Sequence, residues 1–177
     1  MSTQTGHRKV ALLPAQSMVV AIVMGLVLAG CSSAPMGPAD SPKLRSSPVE
    51  ALLSPEQASE VTLYAIGLVG TPYRFGGNTP QSGFDCSGLI GHVYQSRAGL
   101  KPPRTVSMLK DWGQAVDADA LRSGDLAVFF QNNVATHAGI YVGGGRFVHA
   151  PSNGGKVKLD ALFSKYWVSQ PVAFRRP

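Results

Sequence analysis

The spacing of apolar residues changes once along this chain, and that change limits the fold more than any single motif. Between residues 55 and 97 apolar side chains recur at helical spacing, whereas beyond residue 120 they fall in short period-two runs separated by turn residues. A chain that is helical first and sheet later has an α+β order. Ser54-Pro55-Glu56-Gln57 supplies an N-cap serine, a proline at the first helical position and a glutamine three residues after the cap, which predicts a helix start. Ala58, Val61, Tyr64, Ala65 and Leu68 form its core-facing stripe, and Gly70-Thr71-Pro72 is the expected stop. A second helix is expected from Cys86 to Arg97, with Leu89, Ile90, Val93 and Tyr94 on one side and Gly99 ending it. The expected antiparallel strands are 126–130, 137–142, 146–150 and 157–159, with turns at Ser123-Gly124-Asp125 and Gly143-Gly144-Gly145.

At 177 residues there is room for one compact domain and short extensions. Apolar residues make up 44% of the chain, but a large share of them precedes residue 31 and does not belong to that domain's core. Arg8 and Lys9 stand before an almost wholly apolar run from Val10 to Leu28, which ends in Leu28-Ala29-Gly30-Cys31. A basic start, an apolar run and small residues at the end describe a signal peptide. About 20 apolar residues could also span a bilayer, but Pro14 and Gln16 interrupt the early part of the run. Leu-Ala-Gly-Cys resembles the bacterial lipoprotein processing site, and the resemblance implies that Cys31 becomes a lipid anchor after the leader is cut before it. The expected organisation is therefore a signal peptide over 1–30, a Ser/Pro-rich tether over 31–53 and a folded domain over 54–177. Pro35, Pro38, Pro42 and Pro48 bias the tether toward extended conformations.

Removing Arg8 and Lys9 from the 16 basic residues leaves 14 against 10 acidic ones, a formal +4. That suits a polyanionic wall but is too mild to point to a nucleic acid partner. With Cys31 committed to lipid, Cys86 is left unpaired, and a lone thiol in an oxidising compartment is either deeply buried or chemically employed. The first turn of a helix favours a thiolate through its unpaired amides and the positive end of the macrodipole, so position alone is expected to activate Cys86 in part. Its own backbone amide is a candidate oxyanion donor.

A thiol nucleophile needs a proton acceptor that titrates near neutrality, which points to histidine. His7 leaves with the leader, and His92 lies six residues beyond Cys86, roughly 120° around the helix axis. His137 and His149 flank the glycine turn. A three-residue turn, Gly143–Gly145, sets His149 opposite Gly139 and diagonal to His137, so that one imidazole acts as base while the other orients it. A Cys-His-His zinc site is the alternative, but short paired spacings and a fourth ligand are missing.

Six segments then resemble, in order, the motifs of the NlpC-type cysteine peptidases of bacterial cell walls. They are Gly70-Thr71-Pro72-Tyr73-Arg74-Phe75-Gly76-Gly77, Phe84-Asp85-Cys86-Ser87-Gly88, Pro103-Arg104-Thr105, Gly124-Asp125-Leu126, His137-Ala138-Gly139-Ile140-Tyr141 and Phe147-Val148-His149-Ala150. The resemblance spans residues 55–177. It implies a papain-like cysteine peptidase core, with N-terminal helices packed on an antiparallel β-sheet. It also implies Cys86 as nucleophile, His137 as base, His149 as the polar residue orienting it and Tyr73 as support for the cysteine. Asp85 and Ser87 take substrate roles by the same resemblance, although either residue at a helix start also serves as a local cap. Phe75 stands where tryptophan is common and Ala138 where valine is common, and 106–109 lacks the usual polar residues. The implied substrate is an amide in peptidoglycan stem peptides or crosslinks, cleaved without metal or organic cofactor. An amidase or acyltransferase using the same residues, and a non-catalytic wall-binding lipoprotein, are the other readings. A monomer is expected, anchored to the membrane through Cys31, and Ser32 after the anchor points to the outer membrane.

Overall fold

The computed structural model describes residues 52–152 and 155–177. The expected leader, the anchor Cys31 and the tether up to residue 51 lie outside the described residues.

Helix α1 (Pro55–Gly67) begins as its sequence dictates: the Ser54 side chain accepts from the Gln57 backbone N–H, and the Gln57 side chain accepts from the Ser54 N–H in return. It ends at Leu68, two residues before the expected glycine stop. Val61, Ala65 and Leu68 are buried, while Ala58 and Tyr64 flank them half-covered. Two short strands, β1 (Asn78–Thr79) and β2 (Gly83–Phe84), form a small hairpin before helix α2 (Cys86–Ala98). Gly99 closes α2 in the left-handed conformation at φ 69°, and Leu89, Ile90, Val93 and Tyr94 are fully buried. A single turn, α3 (Val106–Leu109), follows.

Six antiparallel strands then form one sheet in the order β3-β8-β4-β5-β6-β7. They are β3 (Gln114–Val116), β4 (Leu126–Gln131), β5 (Val134–Gly143), β6 (Arg146–His149), β7 (Lys158–Ala161) and β8 (Val172–Arg176). The four expected strands are present, and β5 starts three residues earlier than expected, because Asn132 and Asn133 both take positive φ (50° and 61°) and turn β4 directly into β5. Strands β3 and β8 were not expected. Strand β8 enters the sheet between β3 and β4, where Arg176 donates to the buried Asp125 carboxylate at 2.9 and 2.8 Å.

Alternation along the strands divides the core in two. Leu126, Val128, Ala138, Ile140 and Val148 face α1 and α2, while Ala127, Phe129, Phe147 and Phe174 build a smaller cluster on the other face with Trp167 packed against it.

The turn between β5 and β6 departs from the expected three residues. Gly143 pairs with Arg146, leaving Gly144 and Gly145 as a two-residue turn, and a bulge between Tyr141 and Gly143 absorbs one residue. The bulge restores the register below it, where Tyr141 faces Phe147 and Ile140 faces Val148. Gly139 consequently lies against His149, as expected, although the loop reaches that register by a different route.

Candidate active site

The nucleophile candidate sits where a loop, a helix start and the sheet meet. Cys86 opens α2 directly after its N-cap Asp85, whose carboxylate accepts from the Gly88 N–H at 2.7 Å. Close backbone approach fixes this corner. The Asp85 N–H donates to the Gly77 carbonyl at 3.1 Å, and a Cβ on Gly88 would lie 2.0 Å from that same oxygen, so only glycine lets the loop and the helix touch. Tyr73 is placed by a second set of ties: its N–H donates to the Gly155 carbonyl at 2.8 Å, and Val157 donates to Thr71 at 2.7 Å.

Asp85 is satisfied internally. It accepts two parallel bonds from Arg104, each 2.8 Å, and one from the Gly76 N–H at 2.9 Å. Ser87 donates to Asp85 at 3.2 Å and accepts from Arg104 at 2.7 Å. Both side chains are thus committed to the cap and to Arg104. The Arg104 side chain, 47% exposed, is the member of the group that faces solvent. Burial opposes the Asp85 charge, but the Arg104 guanidinium and the Gly88 and Gly76 amides outweigh it and hold the carboxyl below its usual range.

A cavity of about 650 Å³ collects Tyr73, Cys86, His137, His149, Asp160 and Trp167 on its walls. His137 Nε2 lies 2.8 Å from His149 Nδ1, and His149 Nε2 lies 3.0 Å from an Asp160 carboxylate oxygen. That oxygen also accepts from the Trp167 indole N–H at 3.1 Å and pairs with the Lys158 ammonium at 3.0 Å. The Trp167 ring stacks on His137 (centroids 5.7 Å apart, 20° between planes) and meets His149 edge-on at 5.2 Å. Phe147 stacks on the other side of His149 at 4.7 Å. His149 has no exposure at all, and His137 is half-buried.

Burial governs the electrostatics. It pushes the His137 and His149 pKa values down to about 3 and about 4, with the His149 ring adding to the effect at His137, Lys158 adding to it at both, and Asp160 opposing it. It also raises the Cys86 thiol, as does the Asp85 carboxylate. The N–H groups of Ser87, Ala138 and Cys86 itself favour the thiolate, yet they do not outweigh those two causes. The helix start thus favours the thiolate in part, as its position led us to expect, while desolvation and the cap's own negative charge outweigh that contribution.

His92, set aside on helical geometry, is occupied elsewhere, bonded to the Tyr64 hydroxyl at 2.9 Å and packed on Phe84 at 5.2 Å. Asp160, Trp167 and Lys158 were not singled out from the sequence. No motif spacing marks them; Lys158 and Asp160 enter through the β6–β7 register, in which His149 faces Lys158 and Phe147 faces Asp160, and Trp167 reaches Asp160 from the later turn Trp167–Ser169.

The sequence profile of the NlpC/P60 family matches residues 70–176. The chain belongs to that family. Among curated NlpC/P60 relatives, the gamma-DL-glutamyl hydrolase of Bacillus subtilis (strain 168) is 42% identical over 111 residues, covering 61% of this chain and 26% of the relative. The murein DD-endopeptidase MepH of Escherichia coli (strain K12) is 37% identical over 113 residues, covering 61% and 41%. This chain thus spans a quarter to two-fifths of the length of these relatives. A solved NlpC/P60 protein from Staphylococcus aureus, described as similar to lipoprotein, superposes with a TM-score of 0.62 at 34% identity over 74% of this chain and 44% of its own. The NlpC/P60 fold, helices on an antiparallel sheet with a papain-like core, is the one described above.

Proposed function

We propose that the protein is a peptidoglycan endopeptidase that hydrolyses an amide of wall stem peptides or crosslinks through Cys86. One observation carries the reading: the one cysteine among the described residues, at a helix start, and a hydrogen-bonded histidine pair open onto the same cavity.

His137 spends Nε2 on His149, which leaves Nδ1 as the atom that serves Cys86. The Ala138 amide, next to His137 in the chain, favours the Cys86 thiolate. In the proposed reaction Nδ1 takes the thiol proton as sulfur attacks the amide carbon, so the proton moves as the bond forms and no standing thiolate is needed. The backbone N–H of Cys86 donates to the oxyanion. The His137 imidazolium returns its proton to the leaving amine, giving a thioester. Water then attacks the thioester with His137 as base, which releases the acid and restores the thiol. Tyr73 lines the cavity with Cys86, while Asp85 and Ser87 hold Arg104, whose half-exposed side chain is the member of that group able to meet substrate.

The relatives are named for different bonds, a γ-DL-glutamyl bond and a murein DD bond. Mass spectrometry of purified peptidoglycan digested with residues 54–177, beside Cys86→Ala, distinguishes cuts within a stem from cuts in a crosslink. Identical products from both proteins sink the hydrolase reading. New amide bonds in place of hydrolysed ones indicate an acyltransferase instead.

We further propose a lipid anchor, whose leader and Cys31 lie outside the described residues. A leader over 1–30 is removed, Cys31 is acylated, and the tether of 31–53 holds a monomeric domain at the outer membrane, facing the periplasm. Several acyl chains, at about 0.8 kcal/mol per buried methylene, anchor a protein without a spanning helix. Cys31→Ser then releases the protein from membranes or blocks processing; a membrane-bound, mature-length product refutes the anchor.

A further inference from the structure

We infer that Asp160 is a positioning residue, the fourth member of a Cys86–His137–His149–Asp160 chain, which sets the tautomer of both imidazoles and supports the positive charge formed on His137. The inference rests on the roles given to Cys86 and His137 above.

Asp160 receives three donors on one oxygen, from Trp167, Lys158 and the His149 ring, and these hold its carboxyl below the usual range despite partial burial. Ionised, it only accepts. The His149 nitrogen beside it must therefore carry a hydrogen, placing the His149 proton on Nε2. In a neutral imidazole the other nitrogen is then an acceptor, so His149 Nδ1 accepts from His137 Nε2 at 2.8 Å. His137 in turn has its hydrogen on Nε2 and a free lone pair on Nδ1. That lone pair is the one able to take a proton from Cys86. The hydrogen bonds run in one direction, and Asp160 sets it.

Without the carboxylate nothing forces that direction. The inverted chain, with His149 donating from Nδ1, moves the His137 hydrogen to Nδ1 and removes the base. The charge matters as well as the lone pairs. Titratable groups facing the histidines are Lys158 and Asp160 on β7, Cys86 on α2, and Tyr73 and Tyr166 on the loops. Lys158 opposes an imidazolium and Asp160 favours it.

Two substitutions separate these contributions. Asp160→Asn keeps an oxygen where three donors converge but removes the charge; Asp160→Leu removes both. The first is expected to lower kcat/KM about tenfold and to move the acid limb of its pH profile, where the His137 base becomes protonated, to lower pH, because the imidazolium loses its counter-charge. The second is expected to lower kcat on the order of 10²-fold with little change in KM. In ¹⁵N-histidine spectra of the Cys86→Ala protein, His137 and His149 should both show the Nε2–H tautomer, and Asp160→Leu should populate Nδ1–H. Unchanged tautomers and an unmoved acid limb overturn the inference, even where activity falls, since loss of packing alone produces that result. Should Asp160→Leu not fold, Asp160→Asn alone decides through the position of the limb. If the wild type releases no peptides, the hydrolase reading fails, and the tautomer spectra still judge Asp160.

Discussion

Gly139 lies between His137 and the strand that carries His149, and its missing side chain is what lets β5 and β6 close on each other there. A Cβ at this position would sit 2.6 Å from Phe147 Cδ2, 2.8 Å from the Val148 carbonyl oxygen and 3.0 Å from His149 Cβ. Ordinary carbon contacts are ~3.5–4.0 Å, so Gly139→Ala requires displacements of roughly 0.5–1 Å. The ring of Phe147 has some freedom, but the carbonyl and the β-carbon belong to a strand paired on both sides. Overpacking of this kind costs about 1–3 kcal/mol. At roughly 4 °C per kcal/mol for a domain of this size, thermal melts should show a drop of about 4–12 °C. Activity should fall too. A 1 Å misplacement near the chemistry can cost ~10²-fold, so a half-ångström shift of His149 predicts a loss of ~10-fold in kcat. The control is Gly91→Ala in the helix that carries Cys86, where an added Cβ meets nothing within 4 Å. Removing a glycine from that helix interior should stabilise by about 0.5–1 kcal/mol and leave activity intact. If Gly139→Ala melts and turns over like the wild type while Gly91→Ala behaves as stated, strand approach at Gly139 does not position the histidines.

Arg176→Met should destabilise by about 3–5 kcal/mol in urea unfolding, because it strands the buried Asp125 charge; Arg176→Met with Asp125→Asn should recover most of that loss. In Cys86→Ala, which has no thiolate to compensate, both imidazoles should titrate far below 6.5 by NMR, near 4 for His149 and near 3 for His137. Their folded values lie below the unfolded one, so the stability they contribute is complete above about pH 6.5 and is lost as pH falls toward 4, about 2 kcal/mol per ring by pH 5. A flat stability profile between pH 7.5 and 5 contradicts that burial. Arg104→Ala should leave Asp85 uncompensated and raise the Cys86 pKa further, so alkylation of the thiol should require higher pH than in the wild type.

The helices were legible because their signals are local. The capping box at Ser54–Gln57 and the apolar side of α2 lie within a few residues of the atoms they bond or bury. Strand β8 was not, because Val172-Ala173-Phe174-Arg175-Arg176 offers little alternation, and its pairing partners lie some fifty residues earlier. Its burial of Arg176 depends on Asp125, a relation no spacing reveals. The site divides in the same way. Cys86, His137 and His149 could be chosen from residue chemistry, position and a hairpin register. Asp160 could not, since it joins them only after β7 pairs with β6, and a Lys-x-Asp segment resembles any solvated strand.

The two carboxylates near the site act in opposite senses, and their placement explains how a half-buried thiol with a raised pKa can still be a nucleophile. Asp85 stands beside Cys86 and opposes a thiolate; Arg104 pairs with Asp85 in two bonds and offsets that effect without cancelling it. Asp160 stands at the far end of the histidine pair and favours an imidazolium, with Lys158 offsetting it in turn. Each carboxylate is therefore tied to a cation, and neither half of the site carries a large net charge before reaction. Burial then disfavours a thiolate alone and an imidazolium alone, but a proton passed from Cys86 to His137 creates the two ions together, so each compensates the other. The site is arranged to hold charge only as a pair, which ties formation of the nucleophile to the presence of its base. Substituting His137 should for that reason suppress thiol reactivity as well as turnover, whereas a thiolate stabilised by the helix start alone would survive it.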